Sequence, residues 1–325
     1  MLQTLRRALQ WASAGEAVAL ATVLRSWGSA PCPAGSVMAI SASGAIAGAV
    51  SGGCVEGAVC EAAEGVLKTG RPARLDFGVA DELAWSVGLA CGGRIEIHVG
   101  RFEAGIFAAL LEAADASRPV VLARRLDEDE AWLLPSPEAP AGLTEAAAHL
   151  LGQDKPDLVV RDEGEYFLQP VTPPPRLIIV GAVQIAQTLV SMARLAGYGC
   201  VVVDPRAAFC TAERFPGTRL LREWPRMAFT LLRLDARSAV VTLTHDPKFD
   251  DPALREAVMS PAFYVGALGS RRTHAARLAR LRDSGVEEAA LARIQAPVGM
   301  NIGAVGGGEI AVSILAAVIA ARRRV

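Results

Sequence analysis

The sequence predicts an α/β chain of two domains. The first half is mixed α+β, and the second is a Rossmann-like, doubly wound parallel sheet. Three observations carry this. The 325 residues exceed what one hydrophobic core usually organises. Three consecutive prolines, Pro173, Pro174 and Pro175, stiffen the chain near its middle and exclude helix there. Beyond them, continuous apolar segments alternate with amphipathic ones, the pattern of buried parallel strands separated by helices. The expected boundaries are a first domain over 1–169, a Pro-rich linker over 170–175 and a second domain over 176–325.

In the second half, strands are expected at 176–180, 200–203, 239–243 and 264–267. Helices are expected at 185–196, near 252–258, at 272–281 and at 309–321. In the first half, a helix at 5–14 precedes a strand at 17–25 and its partner at 37–40. The Gly/Pro-rich segment 26–35 between them is too long for a tight hairpin. A small-residue strand then passes through Ser51-Gly52-Gly53 into a helix whose apolar positions 55, 58, 59, 62, 63, 66 and 67 share one face, with Cys54 at the turn. There follow a strand at 73–77, a helical turn at 81–85 and a Gly-rich turn at 88–93 holding Cys91. An alternating strand at 94–99, a helix at 102–116 and strands at 120–123 and 131–134 complete the half.

Composition narrows the function. Hydrophobic residues make up 52% and aromatics only 5%, so a compact core is built mainly from Ala, Val, Leu and Ile. A net charge of −1 leaves no electrostatic footprint for nucleic acid or anionic lipid. The N-terminus lacks a secretory apolar segment, and the longest apolar run, 310–321, is too short to cross a bilayer; a soluble, cytoplasmic protein is expected. The six cysteines, at 32, 54, 60, 91, 200 and 210, form no CxxC pair and read as free thiols.

Cys54 lies where a glycine bend meets a helix start. Unpaired N–H groups there favour an anion or a thiolate, so the residue is either a reactive or anion-docking position or a buried cysteine at a tight turn. Cys91 lies similarly between glycine turns; Cys32, between two prolines, is a third candidate. Cys60, Cys200 and His98 read as structural. In the second half, Gly181, Ala186 and Asp204 occupy dinucleotide-fingerprint positions, but Val183 replaces the glycine that admits a pyrophosphate. Asp204-Pro205-Arg206 and Thr244-His245-Asp246, the latter with Asp250 and Asp251, end strands at the edge where α/β sheets bind ligands. The second group suits acid/base or metal chemistry, or equally a helix cap beside a surface histidine. Gly269-Ser270-Arg271-Arg272 pairs a glycine with a basic helix start and suits a phosphate. The loop 296–304 either lies over the same cleft or is plain connecting structure.

Together GSAPCPAGSVMAI, SGGCVEG, GLACGGRIEI, the DPR and THD strand ends, YVGALGSRR and APVGMNIGA followed by EIAVSILA resemble the XdhC/CoxI family, in the family's order and over nearly the whole chain. The resemblance implies an XdhC/CoxI domain followed by a Rossmann domain. It implies an accessory protein, not itself an established enzyme, that binds the molybdenum cofactor (molybdopterin) and protects it. Such a protein supports sulfuration of the cofactor, with a cysteine desulfurase as a further partner, and passes it to an apo molybdenum hydroxylase such as xanthine or CO dehydrogenase; a homodimer is expected. Carried over by motif, Cys54 and Cys91 become cofactor-contacting thiols, with Gly52, Gly53, Gly92 and Gly93 shaping their site. Gly181, Asp204, Arg206, His245, Asp246, Ser270 and Arg271 are the expected cofactor-binding positions of the second domain. No catalytic residue or metal ligand set is assigned. The chain departs from the family at Cys32, where a basic residue is usual, and at Gln184, where histidine is common. Gly306-Gly307-Gly308 replaces a Pro-Glu stretch, which loosens the expected cap of the last helix. The competing reading is an NAD(P)-dependent oxidoreductase using the second domain. A nucleotidyltransferase ranks last, since no P-loop is present.

Overall fold

The computed structural model describes residues 1–28, 32–78 and 93–323. The chain divides into two compact units, Met1–Pro173 and Pro174–Val325.

The first unit begins with α1 (Leu2–Ser13) and an antiparallel sheet of β1 (Val18–Trp27), β2 (Val37–Ser41), β3 (Ile46–Gly48), β4 (Ala73–Phe77) and β5 (Arg94–Arg101), in spatial order β3-β2-β1-β5-β4. Helix α2 (Glu56–Thr69) lies between β3 and β4 in sequence. Every residue from Val18 to Leu24 is buried, which explains why β1 reads as apolar rather than alternating. Val18 and Leu20 pack with α1 and with Phe107 and Leu110 of α3 (Ala104–Asp115), while Ala19, Ala21 and Val23 pack with Val59, Ala63 and Val66 of α2. The sheet is thus covered on both faces. The expected amphipathic face of α2 is the one buried.

A second antiparallel sheet comprises β6 (Val120–Arg125), β7 (Ala131–Leu134), β8 (Asp157–Arg161) and β9 (Gly164–Val171), in order β7-β6-β9-β8, backed by α4 (Leu143–Gln153). The expected linker corrects here, because Pro170 and Val171 belong to β9. Pro170 pairs with Val121 of β6, whereas the β8 register ends at Leu168. Strand β9 is paired on one side only at that point, so a residue without an N–H is tolerated.

In the second unit, β10 (Arg176–Val180), β11 (Gly199–Val203), β12 (Arg219–Leu221), β13 (Ser238–Thr242), β14 (Tyr264–Ala267) and β15 (Ile294–Gln295) form a parallel sheet in order β12-β11-β10-β13-β14-β15. The strand order reverses between β10 and β13, the doubly wound Rossmann arrangement. Leu177 and Ile179 face a core shared with α5 (Gln184–Leu195) and α10 (Gly307–Arg323). Ile178 and Val180 face one shared with α6 (Pro225–Leu232), α7 (Pro247–Met259) and α8 (Arg271–Asp283). Both strand faces are dry, and truncating Ile178 to Ala is expected to cost roughly 2–5 kcal/mol. A short α9 (Glu288–Leu291) precedes β15.

Two helix starts differ from expectation. Helix α7 begins at Pro247 and runs through Pro252, because Asp246 accepts from the Lys248 N–H at 2.9 Å and Pro247 suits the first helical position. Helix α10 is not left loose by its glycines: the Glu309 carboxylate accepts from the Val305 N–H at 2.6 Å. Among the described residues no helix is long and apolar enough to cross a membrane.

Candidate functional site

The Cys54 turn is built around Ser51. Its hydroxyl accepts from the backbone N–H of Gly53 at 3.1 Å and of Cys54 at 3.2 Å, and the Cys54 thiol donates to the same oxygen at 3.4 Å. Gly53, at φ +112°, makes the bend in a conformation L side chains rarely adopt, and the space beside its Cα is open. Gly52 and Gly53 are exposed, Cys54 is half-buried, and Ser51 is buried.

The anion-docking expectation is corrected at this turn. Glu56, the first helical residue, folds back so that its carboxylate accepts from the N–H of Ser51 at 2.9 Å, from the N–H of Val55 at 3.2 Å and from the Ser51 hydroxyl. Burial would push the Glu56 carboxyl up, but these bonds hold it below the usual carboxylate range. The chain's own carboxylate takes the Ser51 and Val55 N–H groups for which an anion at this turn would compete. What stays accessible is the sulfur beside two bare glycines.

Cys32 joins Cys54 here. Its thiol donates to the Ser51 carbonyl at 3.5 Å, and both cysteines pack against the α2-facing core. Burial first, then the charge of Glu56, pushes the Cys32 thiol up from its ordinary value. Cys60, on α2, is likewise pushed up by burial and by Glu56. Cys91 and Gly92 lie outside the described residues. Gly93 is buried and immediately precedes Arg94, which pairs with Trp27, so it stands at the end of the sheet from which the Cys32 loop departs.

In the second unit, the expected positions converge on the carboxyl edge of the parallel sheet, but several serve the fold. Asp204 is 1% exposed. Its carboxylate accepts from the Ala182 N–H at 2.8 Å and from the Arg206 guanidinium at 2.9 and 2.7 Å, so both oxygens are engaged. Burial alone would raise its pKa; the bonds from Arg206 and Ala182 bring it below the ordinary value. A ribose hydroxyl thus meets no free oxygen at Asp204. Gly181, at φ +109°, is pressed so close to Thr244 that a Cβ would sit 2.6 Å from its methyl. These residues, with Val183 opening α5, do not fit a nicotinamide dinucleotide.

Arg206 is also sandwiched between the rings of Phe209, at 4.4 Å, and Phe249, at 5.3 Å, and Trp224 stacks on Phe249 at 5.0 Å. Residue spacing gave no sign of this pile. Asp246 caps α7, and His245 is exposed in a left-handed conformation at φ +61°. Asp250 neither caps nor faces solvent. It accepts from the Thr244 hydroxyl at 2.7 Å and pairs with Arg277 at 3.3 Å, both charged groups being at most 2% exposed. Arg277 was missed in the sequence, where its only sign is an arginine on the helix face that carries Leu281. Ser270 caps α8 by accepting from the Thr273 N–H at 3.2 Å. Arg271, with Leu268, Met300, Asn301 and Ile302, lines a cavity of about 380 Å³, so the loop over 296–304 does lie across the exit of β14. Among the described residues no three His, Cys, Asp or Glu side chains are grouped to hold a metal ion.

Residues 11–78 match the model of the XdhC and CoxI family, and residues 177–318 match that of the XdhC Rossmann domain. The chain is 29% identical to a probable xanthine dehydrogenase subunit of Bacillus subtilis, covering 95% of this chain and 94% of that one. It is 29% identical to the molybdenum cofactor insertion chaperone PaoD of Escherichia coli, covering 98% of this chain and 87% of the relative. A crystal structure of a xanthine dehydrogenase from Bacillus halodurans superposes with a TM-score of 0.78 at 22% identity, over 98% of this chain and 96% of that one, and shares the fold. With a covered antiparallel sheet carrying SGGCVEG, a doubly wound parallel sheet behind it in sequence, and matches in both halves, the chain belongs to the XdhC and CoxI family.

Proposed function

We propose that this protein is a molybdenum-cofactor chaperone that holds the cofactor as cargo, supports its sulfuration and delivers it to an apo molybdenum hydroxylase. The observation that carries the reading is the Cys54 thiol, half-buried beside the exposed Gly52 and Gly53 backbone, in a chain related over nearly its full length to a cofactor insertion chaperone. A soft sulfur donor next to bare backbone suits a cargo whose metal is already held by dithiolene sulfur. Cys91, Gly92 and Gly93 complete the thiol-bearing site in this reading; the second unit has, separately, a cavity at the β14 exit lined by Arg271 that suits an anion. A cysteine desulfurase is the source of sulfur, and the working form is a homodimer in the cytoplasm.

Protein purified from a molybdenum-replete host is expected to release a fluorescent oxidised pterin on acid and iodine treatment. Cys54→Ser is expected to lower that yield about tenfold. If no pterin co-purifies and wild type and variant behave alike in reconstituting an apo-hydroxylase, the reading fails. An NAD(P)-dependent oxidoreductase is the weaker reading, because Asp204 is engaged within the fold.

A further inference from the structure

Cys32 has no part in the proposed cargo site, yet its surroundings tie it to Cys54. Both thiols are anchored on one residue: Cys32 donates to the Ser51 carbonyl at 3.5 Å and Cys54 to the Ser51 hydroxyl at 3.4 Å. Both are half-buried on the same apolar cluster. The chain between them, residues 33–53, leaves through β2 and returns through β3, so Cys32 is brought to Ser51 by the fold and not by adjacency in sequence. Cys54 is also among the electrostatic neighbours of the Cys32 thiol. Cys60, by contrast, lies beyond the first turn of α2 and has no bond to Ser51 among its described contacts.

From this geometry we infer that Cys32 and Cys54 form a reversible disulfide, a redox modification site that withdraws the Cys54 thiol and returns it. The co-reactant is a low-molecular-weight disulfide. The Cys54 thiolate attacks one of its sulfurs, forming a mixed disulfide and expelling one small thiol. The Cys32 thiolate then attacks the Cys54 sulfur, the protein S–S bond forms and the second small thiol leaves. Two protein thiols lose two electrons, the small disulfide gains them, and the two protein protons end on the departing thiols. Excess small thiol reverses both steps. The bond itself is independent of the chaperone reading; only its effect on cargo contact rests on that reading.

The test uses the full-length protein equilibrated in mixtures of reduced and oxidised glutathione, quenched with N-ethylmaleimide, digested and mapped by mass spectrometry. The expected result is a linked pair of peptides bearing Cys32 and Cys54, lighter by two hydrogens than the free pair and abolished by dithiothreitol. Cys32→Ser and Cys54→Ser each remove it. Cys54 linked to Cys91 or Cys60 instead, or glutathionylated while Cys32 remains fully alkylated, overturns the inference; the wild-type map decides this even if a variant folds poorly. Pterin retention separates the two claims. Oxidised wild type is expected to retain about tenfold less pterin than the same protein after reduction by dithiothreitol. Equal retention by the two removes the gating of cargo. Reduced wild type that holds no pterin defeats the chaperone reading but leaves a mapped disulfide standing.

Discussion

The bend at Ser51-Gly52-Gly53 and the bend at Gly181 look alike in sequence, each a glycine turn delivering a strand into a helix. In the folded chain both have recruited an internal carboxylate, Glu56 at the first and Asp204 at the second, to accept backbone N–H groups of the bend. They differ in what remains. At the first, the glycines face solvent and a thiol stands beside them. At the second, Gly181 is jammed against Thr244 and Asp204 is locked onto Arg206. A glycine bend before a helix is therefore a place where backbone polarity must be satisfied, by the chain or by a ligand, and only the leftover side chains tell which function follows.

The comparison can be broken by removing each carboxylate. The largest effect is expected for Asp204→Ala, which strands the Ala182 N–H and the Arg206 guanidinium. A loss of roughly 2–4 kcal/mol in a urea melt is expected, and a loss under 1 kcal/mol overturns the assignment of Asp204 to the fold. Glu56→Gln is expected to cost about 1 kcal/mol, because the turn is half-exposed and an amide oxygen still accepts. The same variant removes a negative charge beside Cys32, so iodoacetamide is expected to label Cys32 about two- to threefold faster at mildly alkaline pH; unchanged labelling argues against that contact.

Acid sharpens the comparison further. Both carboxyls lie below their ordinary values of 4.5 for Glu56 and 3.8 for Asp204. A carboxyl depressed in the folded state contributes stability that is complete above its unfolded value and is lost as pH falls through the folded one. Wild type is thus expected to weaken below about pH 4.5, and Asp204→Asn to flatten the lower part of that slope. The smallest effect is expected for Val183→Gly. It restores the missing fingerprint glycine but leaves Asp204 engaged, so NADH fluorescence should stay unchanged into the millimolar range; a clear binding curve would reverse the reading of this edge.

Much of the second unit was legible because its central strands are buried on both faces and read as unbroken apolar runs at 177–180 and 200–203. The stretch holding α4, β8 and β9 was not. Strand β8 is only half-covered and mixes Asp157 and Arg161 with apolar residues, and Pro170 reads as linker although β9 tolerates it on its unpaired side. The candidate site was legible as positions but not as partnerships. Glu56 stands five residues after Ser51, outside the three-residue spacing of a capping box, so its return to the turn has no sequence signature. Asp250 with Arg277, and Cys32 with Ser51, join through tertiary contact alone. No residue period encodes such meetings.

The ring pile over Arg206 has a practical consequence. Trp224 is the sole tryptophan of the second unit, and its indole stacks on Phe249, which in turn covers the guanidinium held by Asp204. With the four other tryptophans exchanged for phenylalanine, its emission becomes a built-in optical gauge of that corner, reporting without any label whether a passing molecule loosens the clasp beneath it.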